Sequence, residues 1–272
     1  MVHPIRVGAV NYLNTKPLIC DLDKLAPDID LSLEVPSRLA DLLEQGRLDV
    51  ALIPVIEYFR GGSYSIVPDI AIASRGPVLS VTLFSRVSWT KVRRVALDAG
   101  SRTSAALCQI LLCKRYGLSP EIIALPLDRT AEETDADAVL LIGDRAMRAC
   151  LPGFAHAFDL GQEWFDWTGL PFVYAFWAVR PGVDLGPVAD ALAEAKRRGL
   201  ERVGPIAARE APRLGLDAGL CRRYLQSILH FDLGPREQAG LHHYYMLACE
   251  LGLAKRGVSL EFYGHAHLAQ SR

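Results

Sequence analysis

The sequence predicts an α/β protein made of two lobes and a helical C-terminal segment. Three observations predict this class. The chain has 272 residues, which at ~150 residues per domain suits two modest domains. Short strands alternate with helical stretches over the first two thirds of the chain. Beyond Val183, leucines recur at helical spacing, with breaks at Gly199, Gly215 and Gly234.

The first α/β unit opens with an apolar, β-branched run over residues 5–10. A second strand is predicted at 31–35, followed by a helix that Ser37 can cap and Gly46 can end. The buried run at 50–53 predicts a third strand, which leads into a short helix. Strands separated by helices in this order predict a largely parallel sheet.

The second unit begins after Ser85 and repeats the alternation. Its predicted elements are a strand at 92–97, a helix at 101–116, and strands at 121–125, 137–142 and 172–179.

The two units and the helical segment predict a discontinuous first lobe. Residues 1–85 and 180–272 would form this lobe, and residues 86–179 would form the second. A ligand would then lie in the cleft between the lobes, and the cleft would close by a hinge motion. This is the architecture of two-lobed solute-binding proteins.

Composition excludes several classes of protein. Apolar residues make up 50% and charged residues 22%, which excludes an intrinsically disordered chain. The 30 Lys and Arg residues balance 31 Asp and Glu residues, so no nucleic-acid partner is expected. No apolar run approaches the ~20 residues of a membrane-spanning helix, and no signal segment precedes the first strand. We therefore expect a cytoplasmic protein without a membrane partner.

Motifs for metals, nucleotides and nucleophilic catalysis are missing. The sequence has no G-x-G-x-x-G, G-x-x-x-x-G-K-[ST], G-x-S-x-G or H-E-x-x-H pattern. Its six cysteines show neither C-x-x-C nor Cys/His ligand spacing. We expect no metal site, and reduced cysteines in apolar surroundings.

Small polar residues instead cluster where strands end and helices begin. Asn14 follows the first strand, Ser37 follows the second, and residues 101–104 and Gly143-Asp144 follow strands of the second unit. Helix N-termini carry unpaired N–H groups and bind carboxylates without a buried cation. Ordinary helix capping explains any one cluster equally well, but several clusters facing one cleft favour an anion site.

Two further segments have open interpretations. Gly76-Pro77 interrupts a strand, and the bend can direct Ser80 into the cleft or simply end an edge strand. Trp164, Trp167 and Phe172 can wall a cleft for a cyclic ligand, although packing in the core is the favoured interpretation.

Seven segments in order and spacing resemble those of a known family. They are Asn11-Tyr12-Leu13-Asn14-Thr15-Lys16-Pro17-Leu18, Pro36-Ser37-Arg38-Leu39-Ala40-Asp41-Leu42-Leu43, Asp49-Val50-Ala51-Leu52-Ile53-Pro54-Val55-Ile56-Glu57-Tyr58, Gly76-Pro77-Val78-Leu79-Ser80, Ser101-Arg102-Thr103-Ser104, Leu141-Ile142-Gly143-Asp144 and Trp167-Thr168-Gly169-Leu170-Pro171-Phe172. The family is chorismate dehydratase of the futalosine route to menaquinone.

The resemblance implies a type II periplasmic-binding-protein fold used as an enzyme. The implied reaction converts chorismate into 3-[(1-carboxyvinyl)oxy]benzoate and water, a hydro-lyase reaction without a metal or organic cofactor. Two alternatives stay open. One is the sister family that makes 1,4-dihydroxy-6-naphthoate with a cleft histidine, which the matching segments here lack. The other is a non-catalytic protein that binds a small carboxylate.

The resemblance also implies roles for individual residues. Asn14 matches the family's functional asparagine, and Ser80 matches its serine; both are expected to be catalytic. The expected substrate-binding residues are Ser37, Gly76, Ser101, Arg102, Thr103, Ser104, Gly143, Asp144, Pro171 and Phe172. No residue of these motifs is an obvious base, so the substrate's own enolpyruvyl carboxylate is expected to remove the proton. Glu57 and Asp144 are alternative bases, although a structural pairing is the favoured interpretation of each.

Overall fold

A computed structural model of the protein describes residues 3–264. Their strands form two mixed β-sheets. The strands are β1 (Arg6–Val10), β2 (Asp30–Glu34), β3 (Val50–Pro54), β4 (Ser65–Ser74), β5 (Val81–Ser85), β6 (Arg94–Asp98), β7 (Glu121–Leu125), β8 (Ala138–Ile142), β9 (His156–Asp159), β10 (Phe172–Val179) and β11 (Leu229–His230).

The first sheet has the strand order β11-β4-β10-β3-β1-β2. Strands β2, β1 and β3 are parallel, whereas β10 runs antiparallel to both β3 and β4. Every residue of β3 and of β10 is buried, because each strand has a neighbour on both sides and helices on its faces. The second sheet has the order β7-β6-β8-β5-β9, with β7, β6 and β8 parallel and β5 antiparallel to β8 and β9.

Helices connect and cover the strands. They are α1 (Leu22–Leu25), α2 (Pro36–Glu44), α3 (Val55–Phe59), α4 (Arg102–Ile110), α5 (Gly143–Arg148), α6 (Leu160–Thr168), α7 (Pro187–Glu201), α8 (Val203–Leu214), α9 (Ala218–Arg223) and α10 (Pro235–Glu250). Short 3-10 helices span Leu13–Ile19, Trp89–Lys91 and Ala131–Glu133, and π-helical turns at Leu111–Arg115 and Tyr224–Ile228 extend α4 and α9. From α7 to the end of α10 the chain is helical apart from β11 and the connecting turns, as predicted, whereas residues 251–264 contain no helix.

The sheets divide the chain earlier than the predicted boundaries at 85/86 and 179/180. Strand β5 pairs with β8 and β9 of the second sheet, and β10 pairs with β3 and β4 of the first. The chain therefore crosses between the sheets just before β5, and it returns between α6 and β10. Both strands are short apolar runs, and which sheet they join depends on long-range pairing that local sequence does not record.

The cysteines are all free, in agreement with the absence of a disulfide pattern. Cys108 and Cys221 are buried, as expected for packed thiols, whereas Cys150 is exposed. The expectation of an apolar environment is therefore wrong for Cys150, which lies in the loop after α5. No helix within residues 3–264 is long and apolar enough to cross a membrane.

Candidate active site

A cleft lies between the two sheets, at the carboxyl ends of their parallel strands. Each lobe supplies part of its wall, as the switch-point rule for open α/β sheets predicts. The lining residues are Val10, Tyr12, Asn14, Pro36, Pro54, Ile72, Val78, Ser80, Val81, Ser101, Ser104, Ile142, Gly143, Tyr174 and Ala175. The sequence-predicted residues among them are Asn14, Ser80, Ser101, Ser104 and Gly143.

The cleft wall is neutral. None of the lining residues is Asp, Glu, Lys, Arg or His, and its polar groups are hydroxyls, one carboxamide and backbone groups. Burial raises the pKa of the Tyr12 and Tyr174 hydroxyl groups, so both stay protonated near neutral pH. An anion in this cleft would therefore be held by dipoles rather than by a buried cation.

Asn14 comes from the first lobe. It lies in the 3-10 helix that begins directly after β1, and its side chain is half-buried. Its Oδ1 accepts a hydrogen bond from the Thr15 hydroxyl at 3.2 Å. The end of β1 thus places a carboxamide at the carboxyl edge of the sheet. The cluster of polar residues after this strand predicted that position.

Ser101 and Ser104 come from the second lobe, at the N-terminus of α4. Ser101 is the N-cap, and its Oγ accepts from the Ser104 N–H at 3.3 Å. Its own hydroxyl donates to Ser104 Oγ at 2.8 Å. Together with the π-helical turn, α4 forms a continuous helix of three to four turns, so its dipole places partial positive charge beside these two hydroxyls.

Ser80 lies at the end of the first crossover, directly before β5. It is buried, and the hydroxyl of Tyr224 donates to its Oγ at 2.7 Å. The bend predicted at Gly76 is present, since Gly76 has φ +113° and Leu79 has φ +61°. The bend directs Ser80 into the cleft, although Gly76 itself does not line it.

Asp159 holds this crossover in place. Its carboxylate accepts the N–H groups of Val78 and Leu79 at 2.7–3.0 Å. It also caps α6 by accepting the N–H groups of Gly161 and Gln162. One half-buried carboxylate therefore fixes both the crossover and the start of a helix.

Tyr12 closes the cleft across the two lobes. An added Cβ at Gly143 would approach the Tyr12 ring to 2.8 Å, and Gly143 has φ +60°. Only glycine suits this position, because it permits both the backbone conformation and the ring contact. The sequence analysis placed Tyr12 in a motif but gave it no role; its position two residues before Asn14 was the available signal.

Other predicted residues join the lobes rather than line the cleft. Ser37 donates its N–H to the Gly100 carbonyl at 3.2 Å, and Thr103 Oγ1 accepts the Ile56 N–H at 3.3 Å. Asp144 is buried and accepts the Leu13 N–H at 3.1 Å. Burial raises the pKa of the Asp144 carboxyl group, with the Leu13 hydrogen bond acting against it.

Arg102 also connects the lobes. Its guanidinium contacts Asp41 of α2 at 2.8 Å and Glu57 of α3 at 3.2 Å. Glu57 is held as well by Arg60 at 2.6 Å. The favoured interpretation of Glu57 and Asp144 as structural residues agrees with these contacts, because neither carboxylate lines the cleft.

Pro171 and Phe172, which were expected to contact the substrate, are not among the residues that line the cleft. The Pro171 carbonyl accepts the Trp164 indole N–H at 3.3 Å, and Phe172 is fully buried. The Phe172 ring packs edge-on against Trp164 and Tyr244. These aromatic side chains belong to the core because β10 is a central strand of the first sheet, as the favoured interpretation of this segment holds.

Tyr174, two residues beyond Phe172, is the aromatic side chain of β10 that lines the cleft. Its hydroxyl lies 3.1 Å from Ser74 Oγ. Because β10 is apolar throughout, its sequence does not indicate which face of the strand meets the cleft. The sequence analysis therefore missed Tyr174. Among residues 3–264, no cluster of His, Cys, Asp and Glu is suited to hold a metal ion.

The fold and the cleft define a class of protein, a two-lobed binding-protein-like α/β protein with a ligand cleft between its lobes. The solved alkanesulfonate-binding protein of Xanthomonas axonopodis pv. citri has this fold, with a TM-score of 0.67, 14% identity, and 94% of this chain and 96% of that chain covered. The predicted fold class is therefore confirmed.

Sequence comparison then identifies the family. A family model described as menaquinone biosynthesis matches residues 5–250, and the chain belongs to this family. The chorismate dehydratase of Thermus thermophilus is 37% identical over 88% of this chain and 93% of its own length. The chorismate dehydratase of Campylobacter jejuni is 26% identical over 91% of this chain and 99% of its own length.

Proposed function

We propose that this protein is a chorismate dehydratase, which converts chorismate into 3-[(1-carboxyvinyl)oxy]benzoate and water. The observation that carries the proposal is the neutral, hydroxyl-rich cleft between the lobes, in a chain that belongs to the menaquinone biosynthesis family. The curated relatives are named for this activity. We place the reaction in the futalosine route and in the cytoplasm, as the resemblance implies.

The cleft suits a small ring that carries two carboxylates. The N-terminus of α4 offers unpaired N–H groups beside the Ser101 and Ser104 hydroxyls, which suits one carboxylate. Asn14 faces them from the other lobe and would orient the enolpyruvyl side chain. Ser80 would donate to a carboxylate or to the leaving hydroxyl. Binding between two walls fixes the reacting geometry only when the lobes close.

The reaction needs little from the protein beyond position and charge stabilisation. Removal of the ring proton beside the ether oxygen places negative charge on the ring carboxylate as a dienolate. The electron pair then expels the neighbouring hydroxyl, which leaves as water with the abstracted proton, and the ring becomes aromatic. Donors aimed at the carboxylate lower the barrier to the first step.

The substrate's own enolpyruvyl carboxylate is our proposed base. The absence of Asp, Glu and His from the cleft wall supports this choice, since Glu57 and Asp144 are engaged elsewhere. The same absence argues against the sister synthase reaction, which depends on a cleft histidine. Asn14 would hold the carboxylate against the ring proton, so its loss would slow proton removal.

The test is a mass-spectrometric assay of purified protein with chorismate. We expect a product lighter by one water, together with a new aromatic absorbance. Chorismate that binds and returns unchanged would favour the binding-protein alternative. Chorismate that neither binds nor reacts would contradict the proposal and favour the sister synthase.

A further inference from the structure

Tyr224 lies against Ser80, at the start of the helical turn that follows α9. Its side chain is 1% exposed, and its hydroxyl donates to Ser80 Oγ at 2.7 Å. Tyr224 therefore contacts Ser80, one of the two side chains assigned to catalysis, and is not itself among the residues that line the cleft.

The direction of this hydrogen bond decides what Ser80 can do. The phenol hydrogen occupies one lone pair of Ser80 Oγ, so the serine's own hydrogen must point elsewhere. Within residues 3–264, no side chain or carbonyl accepts that hydrogen. The open direction is the cleft that Ser80 lines. A hydroxyl that already accepts a hydrogen bond is also a stronger donor, because linked hydrogen bonds polarise one another.

The backbone at Tyr224 departs from a regular α-helix. Tyr224 is the first residue of the π-helical turn Tyr224–Ile228, and such turns are frequent at functional sites. Its burial raises the pKa of the phenol, so the group keeps its proton and remains a donor near neutral pH. Through this residue the helical C-terminal segment contacts the crossover that leads into the second sheet.

We propose that Tyr224 is a positioning residue for the chorismate reaction. Its hydroxyl group fixes the Ser80 hydroxyl so that the serine hydrogen points at the substrate. The inference rests on the proposed function, because it assigns Tyr224 an action on that reaction through Ser80.

A double-mutant cycle on the full chain tests the proposal. We expect Tyr224→Phe to lower kcat about tenfold and to change KM less than twofold, because loss of one oriented donor raises the barrier by about 1.4 kcal/mol. In a Ser80→Ala background, adding Tyr224→Phe should change kcat less than twofold, since the group it acts on is gone. Equal effects in both backgrounds would overturn the proposal and indicate a structural role.

Tyr245→Phe is the matched control. Tyr245 is also a buried tyrosine of the C-terminal segment, and its hydroxyl donates to the Lys255 carbonyl at 2.9 Å, away from the cleft. This variant should retain wild-type kcat and KM. Wild-type protein that leaves chorismate unchanged would contradict the proposed function itself. Turnover by the wild type that Tyr224→Phe matches would overturn only the positioning role.

A second variant covers the case in which Tyr224→Phe does not fold. Replacement of Tyr224 by 3-fluorotyrosine keeps the hydroxyl and makes it a stronger donor. We expect kcat to change about twofold while KM and the melting temperature stay the same, following Brønsted behaviour. An unchanged kcat would overturn the proposal.

Discussion

Among single residues, Asn14 has the sharpest predicted role. It is the carboxamide of the cleft wall, and it reaches the cleft from the first lobe, opposite Ser101 and Ser104. We expect Asn14→Ala to lower kcat roughly 100-fold, a typical effect of removing one donor from a charge-stabilising site.

Asn11→Ala is a matched control for this loss. Asn11 lies three residues earlier, is exposed, and does not line the cleft. Its Oδ1 accepts from the Lys16 ammonium group, at 3.4 Å. Steady-state kinetics of both variants give the comparison. Near wild-type turnover by Asn14→Ala would remove the role proposed for this residue.

Asp49 is expected to affect the stability of the fold rather than catalysis. It precedes β3 and accepts hydrogen bonds from the Arg6 backbone and guanidinium and from Arg180, so it ties the starts of β1 and β3 to the end of β10. Hydrogen bonds from Arg6 are the main cause that holds the pKa of Asp49 well below its usual value of 3.8. The ionised group therefore stabilises the fold above about pH 4, and this contribution is lost as the pH falls through the lowered pKa.

Unfolding of Asp49→Asn by urea tests this effect. At pH 7 we expect the free energy of unfolding to fall by roughly 1–2 kcal/mol, a value reduced because both arginines are about one-third exposed. The difference in free energy of unfolding between Asp49→Asn and the wild type should become smaller as the pH is lowered below about 4. Asp135→Asn, which loses an exposed pair with Arg94, should cost less than about 0.5 kcal/mol at any pH. A constant difference for Asp49→Asn across this range would contradict the argument.

Sequence reasoning found residues at the ends of parallel strands and missed those whose role depends on pairing. Asn14, Ser101 and Gly143 follow strands, so a local pattern placed them in the cleft. Tyr174 lies inside a uniformly apolar strand, and only the antiparallel register of β10 turns its ring to the cleft. Thr103 was expected to bind substrate, but its hydroxyl accepts the Ile56 N–H, a contact that forms only when α4 meets α3.

Among the elements, the crossover before β5 has the largest influence on the site. It carries Ser80, and its backbone is held by the Asp159 carboxylate, which also caps α6. We expect Asp159→Ala to lower the free energy of unfolding by about 2–3 kcal/mol, as both the cap and the crossover lose their acceptor. It should also lower kcat, because Ser80 is no longer held at the cleft.

Asp217→Ala is the control that separates the loss of stability from the loss of kcat. Asp217 caps α9 by accepting the Leu220 N–H at 2.8 Å, but it is exposed and holds no crossover. This control should cost about 1 kcal/mol of stability and leave kcat unchanged. Chemical denaturation and steady-state kinetics provide both readouts. An Asp159→Ala variant with wild-type kcat would show that Ser80 does not depend on this anchor.

The sheets also explain why the lobe boundaries were misplaced. The prediction assigned β5 to the first lobe and β10 to the second. The reason is that the sequence shows an apparent break near Ser85-Arg86 and another at Arg180-Pro181. Those breaks are the ends of β5 and β10, not the crossovers. The crossovers lie instead at short bends beside Gly76 and Gly169, where φ is positive. A strand's end is visible in local sequence, whereas its sheet is chosen by distant partners.

For the whole molecule, the lobes are closed in this structure. The free volume in the cleft is only about 50 Å³, well below the ~300 Å³ or more of a typical ligand pocket. Hydrogen bonds between the lobes, such as that from the Leu13 N–H to Asp144, accompany this closure. We therefore expect the lobes to separate before chorismate enters, and the site to be assembled when they meet again.

Arg102 provides a way to shift this equilibrium. Its ion pairs with Asp41 and Glu57 join the second lobe to the first, and its side chain is 31% exposed, so the pairs together are worth about 1 kcal/mol. We expect Arg102→Gln to move the open-to-closed ratio about fivefold toward open, since 1.4 kcal/mol corresponds to tenfold. The radius of gyration of the ligand-free protein should rise, and kcat should fall by at most the same factor.

Small-angle X-ray scattering at low and high salt measures the shift. Salt screens exposed ion pairs, so the wild type in 1 M salt, where the screening length is about 3 Å, should approach the Arg102→Gln variant at low salt. Arg94→Gln is the control, because its pairs with Glu121 and Asp135 lie within the second lobe. Its radius of gyration should equal that of the wild type. If Arg102→Gln and Arg94→Gln scatter alike, the ion pairs of Arg102 do not hold the lobes together, and closure depends on the buried contacts around Tyr12 and Asp144 instead.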